Sequence, residues 1–375
     1  MPESLRPQLM LQIKKWGYLI FMIPLSLPIL SWILTSQFSL GDAGAWMTVL
    51  FVFGVVPVLD ALIGKDASNP DERRHTPHLE KSLYYPMLTL AFVPAYLCLI
   101  IWGAHIFSSD LYHWAGKAGW VISIGVVGGL AITVAHELIH KNSILEQAAG
   151  GLLLAMVGYG GFKVEHIRGH HVNVATPADA SSSRYNQSLY HFLPRAIFFN
   201  VKNAWALEQR RLARKELPSL SLHNELIWWY GVTAALLAGF TLVWGLMGAL
   251  FFMGQGLIAT LLLETVNYLE HYGLHRRVND NGGFERVTHQ HSWNSSYLLT
   301  NLMLFQLQRH SDHHANAKRR YQALRHYEDS PQLPAGYATM VLLALAPPLW
   351  RKVMNPKVNH YYQQDTDASP NPQFN

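Results

Sequence analysis

The sequence predicts an all-α integral membrane protein of about six transmembrane helices, with a histidine-rich site for two metal ions on the cytoplasmic side. Three observations lead there. Half of the 375 residues are hydrophobic and only 14% are charged, against about one quarter charged in an ordinary soluble chain. The apolar residues fall in runs long enough to cross a bilayer core, which takes about 20 residues of helix. The 20 histidines gather mostly into four short segments beside those runs. Cys98 is the only cysteine, which excludes a disulfide scaffold and an iron–sulfur cluster held by thiolates of this chain.

The first span is 16–34, helical despite Pro24 and Pro28. The second is 45–63, the third 86–107 and the fourth 119–137. The fifth and sixth, 226–246 and 247–269, are nearly continuous and joined by a tight turn near Gly245. Two shorter apolar stretches, 148–162 and 337–350, read as packed or re-entrant segments. Lys14 and Lys15 precede a run of full spanning length, so the first span reads as an uncleaved anchor. With the N-terminus in the cytoplasm, the outer segments are 35–44, 108–118 and the turn near Gly245. Lys117 is their only basic residue, and the other 28 of the 29 Lys and Arg fall inside. So one-sided a distribution sets the orientation, with both termini cytoplasmic. The basic stretch 187–224 reads as a connection along the membrane surface, and 360–375 as a flexible tail or linker. Gly125-Val-Val-Gly-Gly129 lies within a span and reads as a site of close helix packing.

Four segments carry the chemistry. His136-Glu-Leu-Ile-His140 ends the fourth span, and histidines at i and i+4 share one helix face. Glu165-His166-Ile-Arg-Gly-His170-His171 repeats that spacing with an added imidazole. Asn267-Tyr-Leu-Glu-His271-Tyr-Gly-Leu-His275 ends the sixth span. Gln308-Arg-His310-Ser-Asp-His313-His314 places three imidazoles on one face. The expected ligands are His136, His140, His166, His170, His171, His271, His310, His313 and His314. One zinc takes three or four protein ligands, so this set suits two ions of intermediate softness with positions left open. All four segments fall on the cytoplasmic side of a topology drawn from Lys and Arg alone. His275 and His291 are read mainly as neighbours of the site. Glu137, Glu165, Glu270, Asp312, Asp179 and Glu285, with His291, are expected to accept or share the outer imidazole N–H and offset the metal charge.

The stretches HELIHK (136–141), EHIRGHHVNVATPAD (165–179), NYLEHYGLHR (267–276) and LQRHSDHHANAKRRYQALR (307–325) resemble those of the membrane-bound alkane 1-monooxygenases. These belong to the wider fatty-acid desaturase and hydroxylase group. The resemblance runs from about Trp16 to Lys357 and includes His291-Ser-Trp-Asn-Ser295. It implies one membrane-embedded catalytic domain over 1–359 in the inner membrane of a bacterium. It also implies two non-haem iron ions on the nine histidines, O2 as co-substrate, and rubredoxin, external or fused, with its reductase, as electron donor. One departure is visible: Asn186-Gln187 stands where the family has Gly-Glu, which puts any role of that glutamate in doubt.

A terminal methyl has the strongest C–H bonds of an alkane, so terminal attack must be imposed by shape. An apolar tunnel between spans is expected, lined by Val52, Val56, Leu59 and Leu263. The basic residues Arg319, Arg320, Arg325, Arg351 and Lys352 are expected to dock an acidic carrier. The alternatives are a membrane desaturase or fatty-acid hydroxylase, a zinc hydrolase built on His136-Glu137-x-x-His140, and a metal transporter or bis-histidine haem carrier.

Overall fold

The computed structural model describes residues 6–363. Among them the chain is helical, with isolated bridges such as Lys65 to Tyr297 but no strand. Five helices are long and apolar enough to cross a membrane: Gln8–Phe38, Gly41–Ile63, Tyr84–Ser108, Trp114–Ile139 and Glu225–His271. They make the chain an integral membrane protein. The first four carry the first four expected spans. The fifth carries the last two as one continuous helical stretch.

That stretch turns back on itself at Gly245, whose φ of 61° and ψ of −149° break the helix. Only glycine adopts this geometry without strain. The rings of Phe240 and Phe252 lie 5.2 Å apart, whereas twelve residues of straight helix would separate them by about 18 Å. Glu225–His271 is therefore a hairpin, and its two arms supply the fifth and sixth crossings.

The fourth span is the central helix, buried along most of its length. It meets the second arm of the hairpin where small residues permit close approach. A Cβ added to Gly125 would lie 2.5 Å from the Ile258 Cβ, and one on Gly128 would lie 2.8 Å from the Ala259 Cβ. Gln255 crosses this seam, accepting from the Tyr96 hydroxyl at 2.7 Å and donating to the Met156 carbonyl at 2.9 Å. Its amide is thereby satisfied inside an apolar bundle.

The shorter apolar stretches pack rather than span. Ile144–Met156 starts at a Ser143 cap and lies against the fourth span. Tyr337–Ala344 and Pro347–Gln363 meet at Pro347, where a proline opens the second helix. That helix corrects the expected tail. It continues past residue 360 to Gln363, and the Tyr362 ring stacks on His275 at 4.5 Å. The remainder of the tail, 364–375, lies outside the described residues. The connection 187–224 forms the helix Leu189–Ala213, capped by Ser188. It is tied to the site region by buried Glu208, which accepts from Arg168 at 2.6 Å and Arg211 at 2.8 Å.

Candidate metal centre

Nine imidazoles converge at one end of the bundle, in two groups. His136, His140, His166, His171 and His313 form the first, and His170, His271, His310 and His314 the second. Within each group the ligand atoms all lie within 4.8 Å of one another. These are the nine histidines of the sequence motifs, but the motifs do not divide as helical spacing suggests. His166–His170 winds as a π turn, closed by the His171 N–H on the His166 carbonyl. The wider turn brings His171 beside His166, with Nε2 atoms 3.1 Å apart, and sends His170 to the other group. The six-residue helix His310–Ala315 likewise serves both, giving His313 to the first group and the i, i+4 pair His310 and His314 to the second.

Backbone supports fix these elements. The buried Arg309 guanidinium donates to the Leu324 carbonyl at 2.8 Å and meets Asp66 at 3.2 Å, and Asp66 pairs with Lys14 at 2.6 Å. The His291-Ser-Trp-Asn-Ser295 segment joins the sixth crossing to the last histidine helix. Trp293 N–H donates to the Glu270 carbonyl at 2.7 Å, and the Asn294 side chain accepts from Ser311 N–H at 2.9 Å. Phe162 stacks on His166 at 4.7 Å.

The donor set fits two metal ions. In the second group Nε2 faces Nε2: His170 to His314 at 3.2 Å, His271 to His310 at 3.3 Å, and His310 to His314 at 2.9 Å. The Nε2 atoms of His136 and His140 are buried without a hydrogen-bond partner. Neutral imidazole lone pairs aimed at a common point are what a cation in that position requires.

The acids divide. Asp179 Oδ2 lies 2.9 Å from His170 Nδ1 and accepts from Ser182 at 2.6 Å, as an outer partner should. Glu270 accepts from the Tyr337 hydroxyl at 2.7 Å, and its other oxygen lies 3.3 Å from His310 Nε2, on the metal-facing side. The rest turn elsewhere. Glu137 binds Lys141 at 2.9 Å and the Tyr321 N–H at 3.2 Å. Asp312 is held by Arg319 and the Arg325 N–H. Glu285 meets His291 at 3.0 Å, which occupies that ring together with Thr288. Glu165 is buried, with one oxygen unpartnered. His275 joins neither group. Asn186 adopts φ 63°, so a left-handed position that favours glycine is filled here by asparagine. The Gln187 side chain accepts from the Arg184 N–H at 2.9 Å and lies in neither histidine group.

An apolar cavity leads toward the first group, lined among others by Val52, Val56, Val126 and Leu263. Thr133, Leu304 and Leu307 are shared with a smaller void whose wall includes His136 and His313. Leu59 is not on the lining and packs beside Leu299 and Met303. A second, polar cavity reaches His140 and His171 from another side, between Lys141, Lys163, Arg168, Lys318 and Glu225. The expected docking arginines are engaged within the fold: Arg319 and Arg325 with Glu72, each at 3.1 Å, and Arg320 with Glu146 at 2.8 Å. Arg351 donates to the Asn186 carbonyl at 3.2 Å, and Lys352 is exposed.

Burial, and then neighbouring histidines, hold His140, His166, His171, His310, His313 and His314 well below the usual 6.5. Neutral rings are the form that binds metal. An unfolded chain takes up protons near pH 6.5 where the folded, metal-free one does not, so its stability falls as pH drops below about 6.5. The thermal midpoint of the metal-free protein is expected to be level above pH 7.5 and to decline toward pH 5 on a slope of several protons. A flat midpoint from pH 7 to 5 would mean that these rings are not buried and neutral.

The family model described as fatty acid desaturase matches residues 112–344. The chain is 56% identical over 369 residues to "Alkane 1-monooxygenase 2" of Alcanivorax borkumensis, covering 97% of this chain and 96% of that one. It is 57% identical over 366 residues to "Alkane 1-monooxygenase 2" of Pseudomonas aeruginosa, covering 96% of each. "Alkane 1-monooxygenase 1" of the same organism is 55% identical over 364 residues, covering 96% of this chain and 95% of that one.

Proposed function

Since the chain belongs to the alkane 1-monooxygenases, within the fatty acid desaturase family, we propose how its geometry performs their reaction. It is an oxidoreductase that hydroxylates the terminal methyl of alkanes. Alkane, O2, two electrons and two protons become a 1-alkanol and water. Two non-haem iron ions, held by the nine histidines, supply the O2 reduction and the oxidising power that a C–H bond demands. The chain through Gln363 acts as one catalytic domain.

The observation that carries the reading is the apolar cavity that narrows onto His136 and His313. Thr133, Thr300 and Tyr337 are its only polar wall residues, so it offers a hydrocarbon shape and little else. A medium or long chain lies with its far end toward Val52 and its methyl toward the first histidine group. Shape, not hydrogen bonding, selects the terminal carbon, and the apolar wall keeps water from the reacting carbon. An acyl substrate would need a polar anchor that this lining lacks. A zinc hydrolase is disfavoured because Glu137, its required base, is spent on Lys141 and Tyr321.

The electron donor is an external rubredoxin that approaches the basic, cytoplasmic face of a bacterial inner-membrane protein. Lys318 and Lys352, both exposed, and Arg351 serve it. Arg319, Arg320 and Arg325 shape that face through their ion pairs. The test is product analysis of purified enzyme with O2, rubredoxin, its reductase and a mixture of linear alkanes and acyl chains. 1-Alkanols should predominate. Desaturated or hydroxylated acyl products in their place would return the chain to the desaturase reading.

A further inference from the structure

Glu264 is fully buried in the sixth crossing, seven residues before His271. One carboxylate oxygen accepts from the Tyr159 hydroxyl at 2.5 Å and the other from the Asn267 amide at 3.2 Å. No Lys or Arg ion pair reaches it among the described residues. Arg195, whose charge extends to it, donates instead to the Ser182 carbonyl at 2.9 Å. An acid in a membrane-spanning helix is costly, and one kept there marks function.

Its surroundings say which function. Tyr159 lies 5.7 Å from the Phe162 ring, and Phe162 stacks on His166. Glu264 is thus two aromatic rings, Tyr159 and Phe162, behind the first histidine group, within electrostatic reach of His170, Asp179 and Glu165. Glu165, Asp179 and Glu270 are likewise buried and without a Lys or Arg ion pair among the described residues, and each adjoins a metal-group histidine in sequence or space. By contrast, buried Glu137 and Asp312 are matched by Lys141 and Arg319.

We propose that Glu264 is a counter-charge of the metal centre, its two oxygens positioned by Tyr159 and Asn267. It offsets part of the charge of two divalent ions whose ligands are neutral imidazoles. A buried cation without compensating charge is poorly held. Glu264 strengthens metal binding without touching either ion. This rests on the reading of a two-metal centre.

Glu264→Gln removes the charge and keeps the shape. The full-length, metal-free protein in detergent is titrated with Co²⁺ as the probe. Wild type should bind two ions per chain. Glu264→Gln should keep the thermal midpoint of the metal-free protein and bind the weaker ion at least tenfold less tightly, about 1.4 kcal/mol. Tyr159→Phe removes the same tie but leaves the carboxylate, and should stay within threefold of wild type. Should Glu264→Gln fail to fold, Glu264→Met neutralises the site with no new polar group to satisfy. Wild-type affinity in the neutralised variant overturns the inference. So does an equal loss in Tyr159→Phe, which would make the pair a structural tie. A wild type that binds no cobalt would instead bring down the two-metal reading itself.

Discussion

His271→Ala is expected to lose more than about 100-fold in alkane hydroxylation and to retain less iron than wild type. His271 closes the sixth crossing, with Nε2 3.3 Å from that of His310 and Nδ1 3.4 Å from the Ser292 hydroxyl. It is the only member of either group contributed by its helix, so no neighbour on that turn can take its place. His275, one turn on in sequence, has its ring stacked on Tyr362 and belongs to neither group. His275→Ala should keep its iron and most of its activity. Iron content and turnover of the two purified variants decide the matter. If they behave alike, the assignment of that segment is wrong.

Val52→Trp should shift preference toward shorter alkanes with iron content unchanged. Val52 stands on the π turn Phe51–Val55 and lines the apolar cavity with Val56 and Leu263. An indole there occupies the space of the far end of the chain. Each methylene removed from apolar contact costs about 0.8 kcal/mol, so excluding four costs about 3 kcal/mol, on the order of 100-fold in relative rate. A competition assay over an alkane series reads this directly. An unaltered product profile in a fully loaded variant would place Val52 outside the substrate path.

Much of the architecture was readable because the bilayer demands it. Long apolar runs can only be helices in lipid, and the basic residues could be sorted before any side chain was placed. The hairpin at Gly245 was visible as a joint between two runs. The histidines were legible from their density and spacing, but their division was not. Both π turns add a residue to a helical turn, and no periodicity in the sequence marks where. The one at His166–His170 exchanges the partners of His166.

The roles of the acids and arginines were the least readable, because they depend on which partner tertiary structure brings near. Asp179 reached a histidine of the metal groups, while Glu137 and Asp312 reached basic residues and Glu285 reached His291, outside both groups. Arg319, Arg320 and Arg325 were neutralised by Glu72, Asp312 and Glu146, which lie far away in sequence or across a loop. Glu264 was missed although a signal existed. A single carboxylate within the apolar run Leu261-Leu262-Leu263-Glu264-Thr265-Val266 is an anomaly that hydropathy averages away.

The central claim is that the two histidine groups together hold two non-haem iron ions. Elemental analysis of the purified full-length protein, with an optical spectrum of the same sample, tests it most directly. The account predicts two irons per chain, negligible zinc and no Soret band. One iron per chain, stoichiometric zinc, or a haem spectrum would contradict it.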